Sequence, residues 1–220
     1  MEYDEHESAQ LVPLLTQAIQ FATVAGNARA HADQKAWLAK VGRDFGMVVR
    51  DAGKVTEIEL PGPSGAPVLG LLVHGDVQPV EEKAWSVPPF AGIERGGVVF
   101  GRGAADDKGP LVQALLAMRA LRATGSPRTH TIRLLVGSDE ESGSTDIKEY
   151  LRDHQAPDFS LVLDSAFPVV VGEKAWDGLT LSVPVGEGMA SVERSGAENF
   201  PFAVESLEAG LAPSIVPDKA

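Results

Sequence analysis

The sequence GRGAADDKGPLVQALLAMRALRA, residues 101–123, joins a glycine-rich turn to an amphipathic helix. Its glycines permit backbone conformations that a Cβ atom would forbid, and Pro110 suits the first turn of a helix, which the pattern predicts over Pro110–Ala123. Asp106 and Asp107 therefore stand side by side on a shaped loop at a helix N-terminus. Two adjacent carboxylates repel each other unless something positive lies beside them. The stretch thus indicates a cation-binding turn.

The segments around this turn alternate between strand and helix patterns. Continuous apolar runs predict two buried strands, Val68–Val73 and Thr131–Val136. Shorter strands are predicted at Met47–Arg50, Val55–Leu60, Phe159–Leu163 and Val169–Val171. Apolar residues at helical spacing predict helices at Leu11–Val24, Ala28–Phe45 and Ser144–Asp153. The alternation predicts an α/β fold with a mixed, mostly parallel central sheet sandwiched by helices.

The residues beyond Gly178 differ in character from those before them. Leu179–Val185 reads as a strand of small and polar residues, Gly186–Asn199 as a polar loop, and Ala203–Ala209 as a helix that Gly210 ends. We therefore expect a first domain over residues 1–178 and the beginning of a second over residues 179–220.

Composition and charge exclude several classes of protein. The formal net charge of −12 argues against a nucleic-acid partner, because phosphates would be repelled. The chain has no cysteine, which excludes disulfides, thiolate nucleophiles and cysteine-type zinc sites. The longest apolar run, Ala66–Val73, is too short to span a bilayer, and the acidic start MEYDEHESAQ is unlike a signal peptide. We expect a cytoplasmic protein that contacts neither nucleic acid nor membrane.

Acidic and imidazole side chains follow three of the predicted strands. His74 and Asp76 follow the first buried strand, Glu140 and Glu141 the second, and Asp164 the strand after it. Taken singly, each could belong to a solvated turn, and Asp164 could equally cap a helix or close a turn. A carboxylate near His74, such as Asp76, could fix the tautomer of the imidazole. Of two adjacent glutamates, one could bind a cation while its neighbour acts as a general base.

Taken together, these residues predict a metal centre. Ligands of open α/β sheets gather outside the carboxyl ends of the strands, where His74, Glu141 and Asp164 are expected. With Asp106 they make three carboxylates and one imidazole, a set that suits divalent ions such as zinc or manganese. Two such ions often share one carboxylate, and Asp106 is the natural bridge because its loop is the most tightly specified.

Two other catalytic classes fit the sequence poorly. The glycines and lysine of Gly101–Pro110 could suggest a phosphate-binding loop, but the spacing G-x-x-x-x-G-K-[ST] is absent and two aspartates stand where phosphate needs backbone donors. No G-x-S-x-G motif occurs, so a serine hydrolase is poorly supported.

Five motifs, in order, resemble those of the M20 family of di-metal peptidases, and most closely its PepV-like and carnosinase-like dipeptidase branch. They are HGDVQPV, WSVPPF, GRGAADDKGP, SDEESGSTD and LDSAFPVVVGEK. The resemblance extends from about Leu11 to Lys174 and continues more faintly to the end. It implies a zinc-exopeptidase-like catalytic domain over residues 1–178, followed by the start of a lid domain.

The resemblance also implies a metal-binding role for four residues. It makes His74 and Asp164 ligands of one ion, Glu141 a ligand of the other, and Asp106 the bridge between them. In such enzymes the peptide bond between Asp106 and Asp107 is cis. The expected cofactor is a pair of divalent ions, most typically Zn²⁺, although Mn²⁺ or Co²⁺ suit the same ligands.

The catalytic steps implied by the resemblance involve two further acids. Asp76 orients His74, and Glu140 is the general base that shuttles a proton to the leaving amine. The substrate would be a dipeptide or small peptide, hydrolysed by attack of a metal-bridging hydroxide on the scissile carbonyl. Relatives often dimerise through the lid, so a homodimer is expected of the full-length protein.

One expected ligand has no counterpart in the sequence. Enzymes of this family need a late metal-binding histidine and another from the lid, but no histidine after His74 stands in a matching context. The chain therefore resembles the N-terminal part of such an enzyme, and we expect it to be poorly active alone. Two alternatives stay open: an amino-acid deacylase or desuccinylase on the same scaffold, or a non-catalytic remnant that serves as a binding module.

Overall fold

The computed structural model describes residues 5–165, Val170, and the segments Ala190–Val192 and Phe200–Phe202. The chain divides into two compact units, Met1–Val170 and Val171–Ala220. The domain boundary predicted between residues 178 and 179 stays a prediction. Among the described residues, no helix combines the length and the apolar character needed to cross a bilayer.

The first unit contains four α-helices and seven strands among its described residues. The helices are α1 (Glu5–Gln20), α2 (Ala28–Asp44), α3 (Lys108–Ala123) and α4 (Asp146–Asp153). The strands are β1 (Val48–Ala52), β2 (Val55–Leu60), β3 (Val68–His74), β4 (Ile93–Arg95), β5 (Val98–Phe100), β6 (Thr131–Gly137) and β7 (Phe159–Val162). A single 3₁₀ turn spans Glu82–Ala84.

Five of these strands form the central sheet, in the order β1-β2-β6-β3-β7. Strand β3 pairs in parallel with β6 and β7, whereas β2 pairs antiparallel with β1 and β6. Only β2 therefore runs against the other four, which confirms the mixed, mostly parallel sheet. The register places His74 beside Gly137, so the residues that follow β3 and β6 leave the sheet at the same edge.

Helices cover both faces of the sheet, as predicted. Alternate residues of β6 point to opposite faces, because the side-chain period of a strand is two. Leu134 and Val136 belong to the main core, with residues of α1, α2 and α3, whereas Leu135 packs with Val55 and with Tyr150 of α4. The helix–sheet–helix sandwich thus follows from the continuous apolar run of β6.

Helix α1 lies earlier in the chain than the predicted Leu11–Val24. It ends at Gln20 because the residues after it bond to the segment that follows β3. The Thr23 hydroxyl donates to the carbonyl oxygen of Gly75 at 2.6 Å, and the Val77 amide donates to the Thr23 carbonyl at 3.1 Å. These long-range bonds replace the next helical turn, although the apolar pattern itself continues.

A short hairpin begins inside the segment Gly75–Gly97, which the sequence predicts as a loop, and ends at Phe100. Strands β4 and β5 pair antiparallel across Gly96 and Gly97, whose φ angles of 62° and 81° favour glycine at both turn positions. Strands of three residues are too short for an alternating pattern to stand out. Helix α4 begins at Asp146, two residues after the predicted Ser144, which has a φ of 47°.

The second unit is described at one hairpin. Strand β8 (Ala190–Val192) pairs antiparallel with β9 (Phe200–Phe202). The prediction of a polar loop over Gly186–Asn199 was therefore wrong for β8, where alternation over three residues is again too brief to read. The strand predicted at Leu179–Val185 and the helix at Ala203–Ala209 lie outside the described residues, as does most of Val169–Val171.

Candidate metal centre

The imidazole of His74 is the point on which the predicted acids converge. His74 ends β3 and is 3% exposed. Its Nε2 lies 2.9 Å from Oδ1 of Asp106, 3.6 Å from Oδ2 of Asp164 and 4.0 Å from Oε2 of Glu140. Three loops that are distant in sequence thus bring carboxylates to one nitrogen.

The ligand atoms of these residues form two overlapping groups. One contains His74, Glu140 and Asp164, and the other contains His74, Asp106 and Glu141. Within each group the nitrogen and oxygen atoms lie within 4.8 Å of one another. Oxygen and imidazole nitrogen donors at this separation suit divalent cations such as Zn²⁺ or Mn²⁺. The residues present therefore fit the cation implied by the sequence.

Charge around His74 favours a bound proton when no cation is present. Burial acts to lower the pKa of His74, but hydrogen bonds with Asp106 and Asp76, together with nearby negative charge, raise it to about 11. The hydrogen bond from His74 in turn lowers the pKa of Asp106. A proton on Nε2 of His74 would thus be held by the same acids that a cation would bind.

Asp76 connects the end of β3 to the acidic loop that follows β6. Its carboxylate accepts hydrogen bonds from the backbone amides of Glu140, at 3.2 Å, and of Glu141, at 3.0 Å. Its backbone carbonyl lies 3.0 Å from Nδ1 of His74, whereas its carboxylate oxygen lies 3.5 Å from the same atom. The tautomer of His74 is therefore set mainly by the backbone of Asp76, and the side chain mainly holds the loop.

Glu140 and Glu141 have different surroundings: Glu140 is exposed, whereas Glu141 is half-buried. Burial and neighbouring acids raise the pKa of each above that of an ordinary glutamate. Glu141 accepts a hydrogen bond from Gln78, whose Nε2 lies 2.8 Å from its Oε2. Gln78 is not among the predicted site residues, because an amide is not a preferred ligand of these cations and nothing in HGDVQPV shows that Gln78 faces the second loop.

Asp107 supports His74 from the turn that carries Asp106. It is fully buried, and its Oδ2 accepts a hydrogen bond from the backbone amide of His74 at 3.1 Å. Its Oδ1 is buried and has no hydrogen-bond partner within residues 5–165, and burial raises its pKa to about 7. The peptide bond between Asp106 and Asp107 is cis, as the resemblance implies. Asp107 is therefore a buried acid behind the exposed Asp106, and its ionised form would increase the negative potential that a cation meets.

Lys108 fixes the same turn to the end of helix α1. The side chain is completely buried, and its Nζ donates to the carbonyl oxygens of Ala18, at 2.9 Å, and Phe21. These carbonyls lie at the C-terminal end of α1, where backbone acceptors lack intrahelical donors. Sequence reasoning missed this role, since a lysine beside two aspartates suggests a local ion pair and not a contact with another helix.

A small cavity of about 140 Å³ adjoins the centre. His74, Glu140 and Asp164 line one part of it, and Ile147 and Val162 contribute apolar surface. Polar groups that converge at the wall of an apolar cavity are typical of small-molecule sites. The arrangement can therefore hold a small group with a polar end at the acids.

Comparison with known proteins places the chain beside one family of peptidases. The model of peptidase family M20/M25/M40 matches residues 70–213. The relatives include YtjP of Bacillus subtilis (strain 168), named as a candidate dipeptidase, at 31% identity over 71% of this chain and 32% of that protein. The Beta-Ala-Xaa dipeptidase of Lactobacillus delbrueckii subsp. lactis is 29% identical over 70% of this chain and 31% of its own length.

A human protein, the N-fatty-acyl-amino acid synthase/hydrolase PM20D1, is 38% identical over 44% of this chain and 19% of its own length. The chain spans about a third of the length of the two bacterial relatives.

Solved structures share its fold. Human carnosine dipeptidase 1 matches with a TM-score of 0.64 and 20% identity over 74% of this chain and 40% of that one. The M20 family metallo-carboxypeptidase Sso-CP2 of Sulfolobus solfataricus matches with a TM-score of 0.63 and 21% identity over 73% and 37%.

Proposed function

The chain belongs to peptidase family M20/M25/M40, and on that premise we propose that it carries the metal-binding face of a dipeptidase. The observation that carries the proposal is the convergence of Asp106, Glu140 and Asp164 within 4.0 Å of Nε2 of His74. Exposed acids are common at strand ends, but acids from three separate loops around one buried imidazole are what a cation site requires.

Four residues would hold two divalent cations. His74 and Asp164 would bind one, Glu141 would bind the other, and Asp106 would lie between them. When bound, such cations polarise a carbonyl oxygen and lower the pKa of a water molecule. Zn²⁺ suits these ligands, as do Mn²⁺ and Co²⁺.

Glu140 would move the proton in this reaction. Its side chain is 48% exposed, so that both water and a substrate can reach it. Its raised pKa, which results first from burial, brings it closer to the pH at which a general base is most effective. Glu140 would accept a proton from the attacking water and give it to the leaving amine. Asp76 would keep Glu140 in place through the backbone amide that it binds.

The substrate would be a dipeptide or a similarly small peptide. The names of the Beta-Ala-Xaa dipeptidase and of carnosine dipeptidase 1 support this class. A cavity of about 140 Å³ accommodates a small side chain beside the acids. The net charge of −12 disfavours nucleic acid as a partner.

We further propose a first domain that ends near residue 178 and a lid that begins at residue 179. We also propose dimerisation of the full-length protein and a cytoplasmic location.

A second candidate is hydrolysis of N-acyl amino acids. It is supported by 38% identity over 98 residues to a protein named an N-fatty-acyl-amino acid synthase/hydrolase. The bond broken is again an amide, so the same residues could serve. The two candidates differ in the acyl group that carries the scissile carbonyl, which is a polar aminoacyl group in a dipeptide and an apolar chain in a fatty-acyl substrate.

Metal binding and substrate class can be tested separately. We expect the metal-depleted chain to bind Zn²⁺ in isothermal titration calorimetry, one equivalent more tightly than the second, because His74, Asp164 and Asp106 would hold the first cation and only Asp106 and Glu141 the second. Asp106→Asn should abolish tight binding, whereas Asp153→Asn, an exposed acid on α4, should not. Equal binding by wild type and Asp106→Asn would contradict the proposed site. A panel of β-alanyl dipeptides and N-acyl amino acids, given to the full-length protein, then separates the two substrate classes.

A further inference from the structure

Two adjacent glutamates of the acidic loop are held in different ways. The carboxylate of Glu141 accepts a hydrogen bond from Nε2 of Gln78 at 2.8 Å, and the same Nε2 lies 3.1 Å from the Glu141 carbonyl oxygen. The carboxylate of Glu140 lies 4.0 Å from Nε2 of His74, beyond hydrogen-bond distance. One glutamate is therefore fixed through its side chain, and its neighbour is not fixed by this contact.

Gln78 is itself held firmly. The residue is 8% exposed, and its neighbour Val77, which is 1% exposed, donates its backbone amide to the Thr23 carbonyl oxygen at 3.1 Å. An ionised carboxylate accepts hydrogen bonds and cannot donate them. The amide nitrogen of Gln78, which donates, must therefore be the group that faces Glu141. The orientation of the Gln78 amide is thus determined by its partner.

The hydrogen bond occupies one of the two oxygens of Glu141. With Oε2 bound to Gln78, the other carboxylate oxygen is left for a ligand, and the side chain loses the freedom to turn about its terminal torsion. Asp76 holds the backbone amide of the same residue at 3.0 Å. Glu141 is therefore restrained at its amide, its carbonyl and its carboxylate, beside Asp106 in one of the two ligand groups.

We propose that Gln78 is a positioning residue that gives the two glutamates different tasks. By binding Oε2 of Glu141, it makes that residue a one-oxygen ligand of a divalent cation, and it leaves Glu140 able to move for proton transfer. Residues that hydrogen-bond to metal ligands fix their orientation in this way, and their loss commonly weakens metal binding. The inference rests on the proposed function, because it assumes that a cation binds at Glu141.

Cobalt binding to the full chain tests this role. Gln78→Met keeps the length of the side chain and removes the donor. We expect this change to raise the Kd for Co²⁺ by about 10- to 100-fold and to alter the visible absorption of the cobalt-loaded chain. Gln155→Met, at an exposed position, is the matched control and should change neither quantity.

A double-mutant cycle separates positioning from general stability. If Gln78 acts through Glu141, Gln78→Met should have little further effect on Co²⁺ binding in a Glu141→Gln background. An unchanged Kd and cobalt spectrum in Gln78→Met would overturn the inference while leaving the proposed function intact. Absence of cobalt binding by the wild-type chain would overturn the proposed function, and this inference with it.

Discussion

The side-chain nitrogen of Lys108 lies 2.9 Å from the carbonyl oxygen of Ala18, although 90 positions separate the two residues in sequence. The contact joins the turn that carries Asp106 to the end of helix α1. Lys108 is completely buried, so this hydrogen bond is shielded from water.

We predict that Lys108→Met destabilises the chain by about 1–3 kcal/mol, because it removes two buried hydrogen bonds from the turn to the end of α1. Urea unfolding followed by circular dichroism measures the loss. Lys83→Met, at an exposed position, should stay within about 0.5 kcal/mol of wild type. Equal stability of the two variants would show that the contact of Lys108 with α1 is energetically neutral.

Cation binding should release a proton from His74. The raised pKa of about 11 means that the metal-free imidazole carries a proton at neutral pH, which a cation must displace. Calorimetry with Zn²⁺ at pH 7, in buffers of different ionisation enthalpy, should therefore show release of about one proton. A binding enthalpy that does not depend on the buffer would contradict this.

The raised pKa of His74 also determines whether the fold gains or loses stability as the pH rises. A histidine with a raised folded pKa stabilises the fold fully below its unfolded pKa of about 6.5. That contribution is lost as the pH rises through about 11. The metal-free chain should accordingly lose stability between these values, and His74→Gln should remove this part of the pH dependence.

The two glutamates should respond differently to the same substitution. Glu140→Gln removes the proposed base and should lower dipeptide turnover of the full-length protein by about 10²- to 10⁴-fold while metal content stays near that of wild type. Glu141→Gln should instead lower metal content, which elemental analysis measures. Loss of metal from Glu140→Gln would make Glu140 a ligand, as its place in the group with Asp164 also allows.

Tyr150 packs on the face of the sheet opposite helices α1, α2 and α3. It should contribute stability that depends on pH. Its hydroxyl donates to Oε2 of Glu57 at 2.7 Å. Burial alone would raise the pKa of Glu57, but hydrogen bonds from Tyr150 and Arg50, with the nearby charge of Arg133, hold it below its ordinary value. Tyr150→Phe keeps the ring and should cost about 1.5–3 kcal/mol at pH 7, the range for a hydrogen bond to a charged group.

The cost of Tyr150→Phe should decrease in acid. A lowered folded pKa stabilises the fold above the unfolded pKa of glutamate, and this contribution disappears as the pH falls through the folded value. Urea unfolding at pH 7 and below pH 4 should therefore show a smaller difference between variant and wild type in acid. A constant difference would mean that the hydroxyl acts independently of the charge on Glu57.

The strands, the helices and the set of acids could be predicted because each leaves a local pattern. The apolar run of β3 ends at His74, and that of β6 leads into Glu140 and Glu141. Because the two strands are parallel neighbours, their carboxyl ends lie side by side and bring these residues together. Hairpin β4–β5 and strand β8 could not be predicted, since three residues carry too little alternation.

The supporting residues of the site could not be predicted for a different reason. Gln78 contacts a residue 63 positions away, and Lys108 contacts one 90 positions away. Neither residue type is a usual ligand, and nothing in its immediate sequence shows which loop or helix end it meets. Local patterns reveal what binds a cation, whereas what holds those ligands in place emerges only from the packed chain.

Asp76 and Gln78 stand two residues apart and both contact the loop that carries Glu140 and Glu141. Their spacing is therefore a constraint on chain length. Insertion or deletion of one residue between His74 and Gln78 would break the alignment of both side chains with that loop at once. The 3₁₀ turn Glu82–Ala84 is exposed and contains no buried residue. A change in chain length should therefore be better tolerated at this turn than the insertion of one residue between His74 and Gln78.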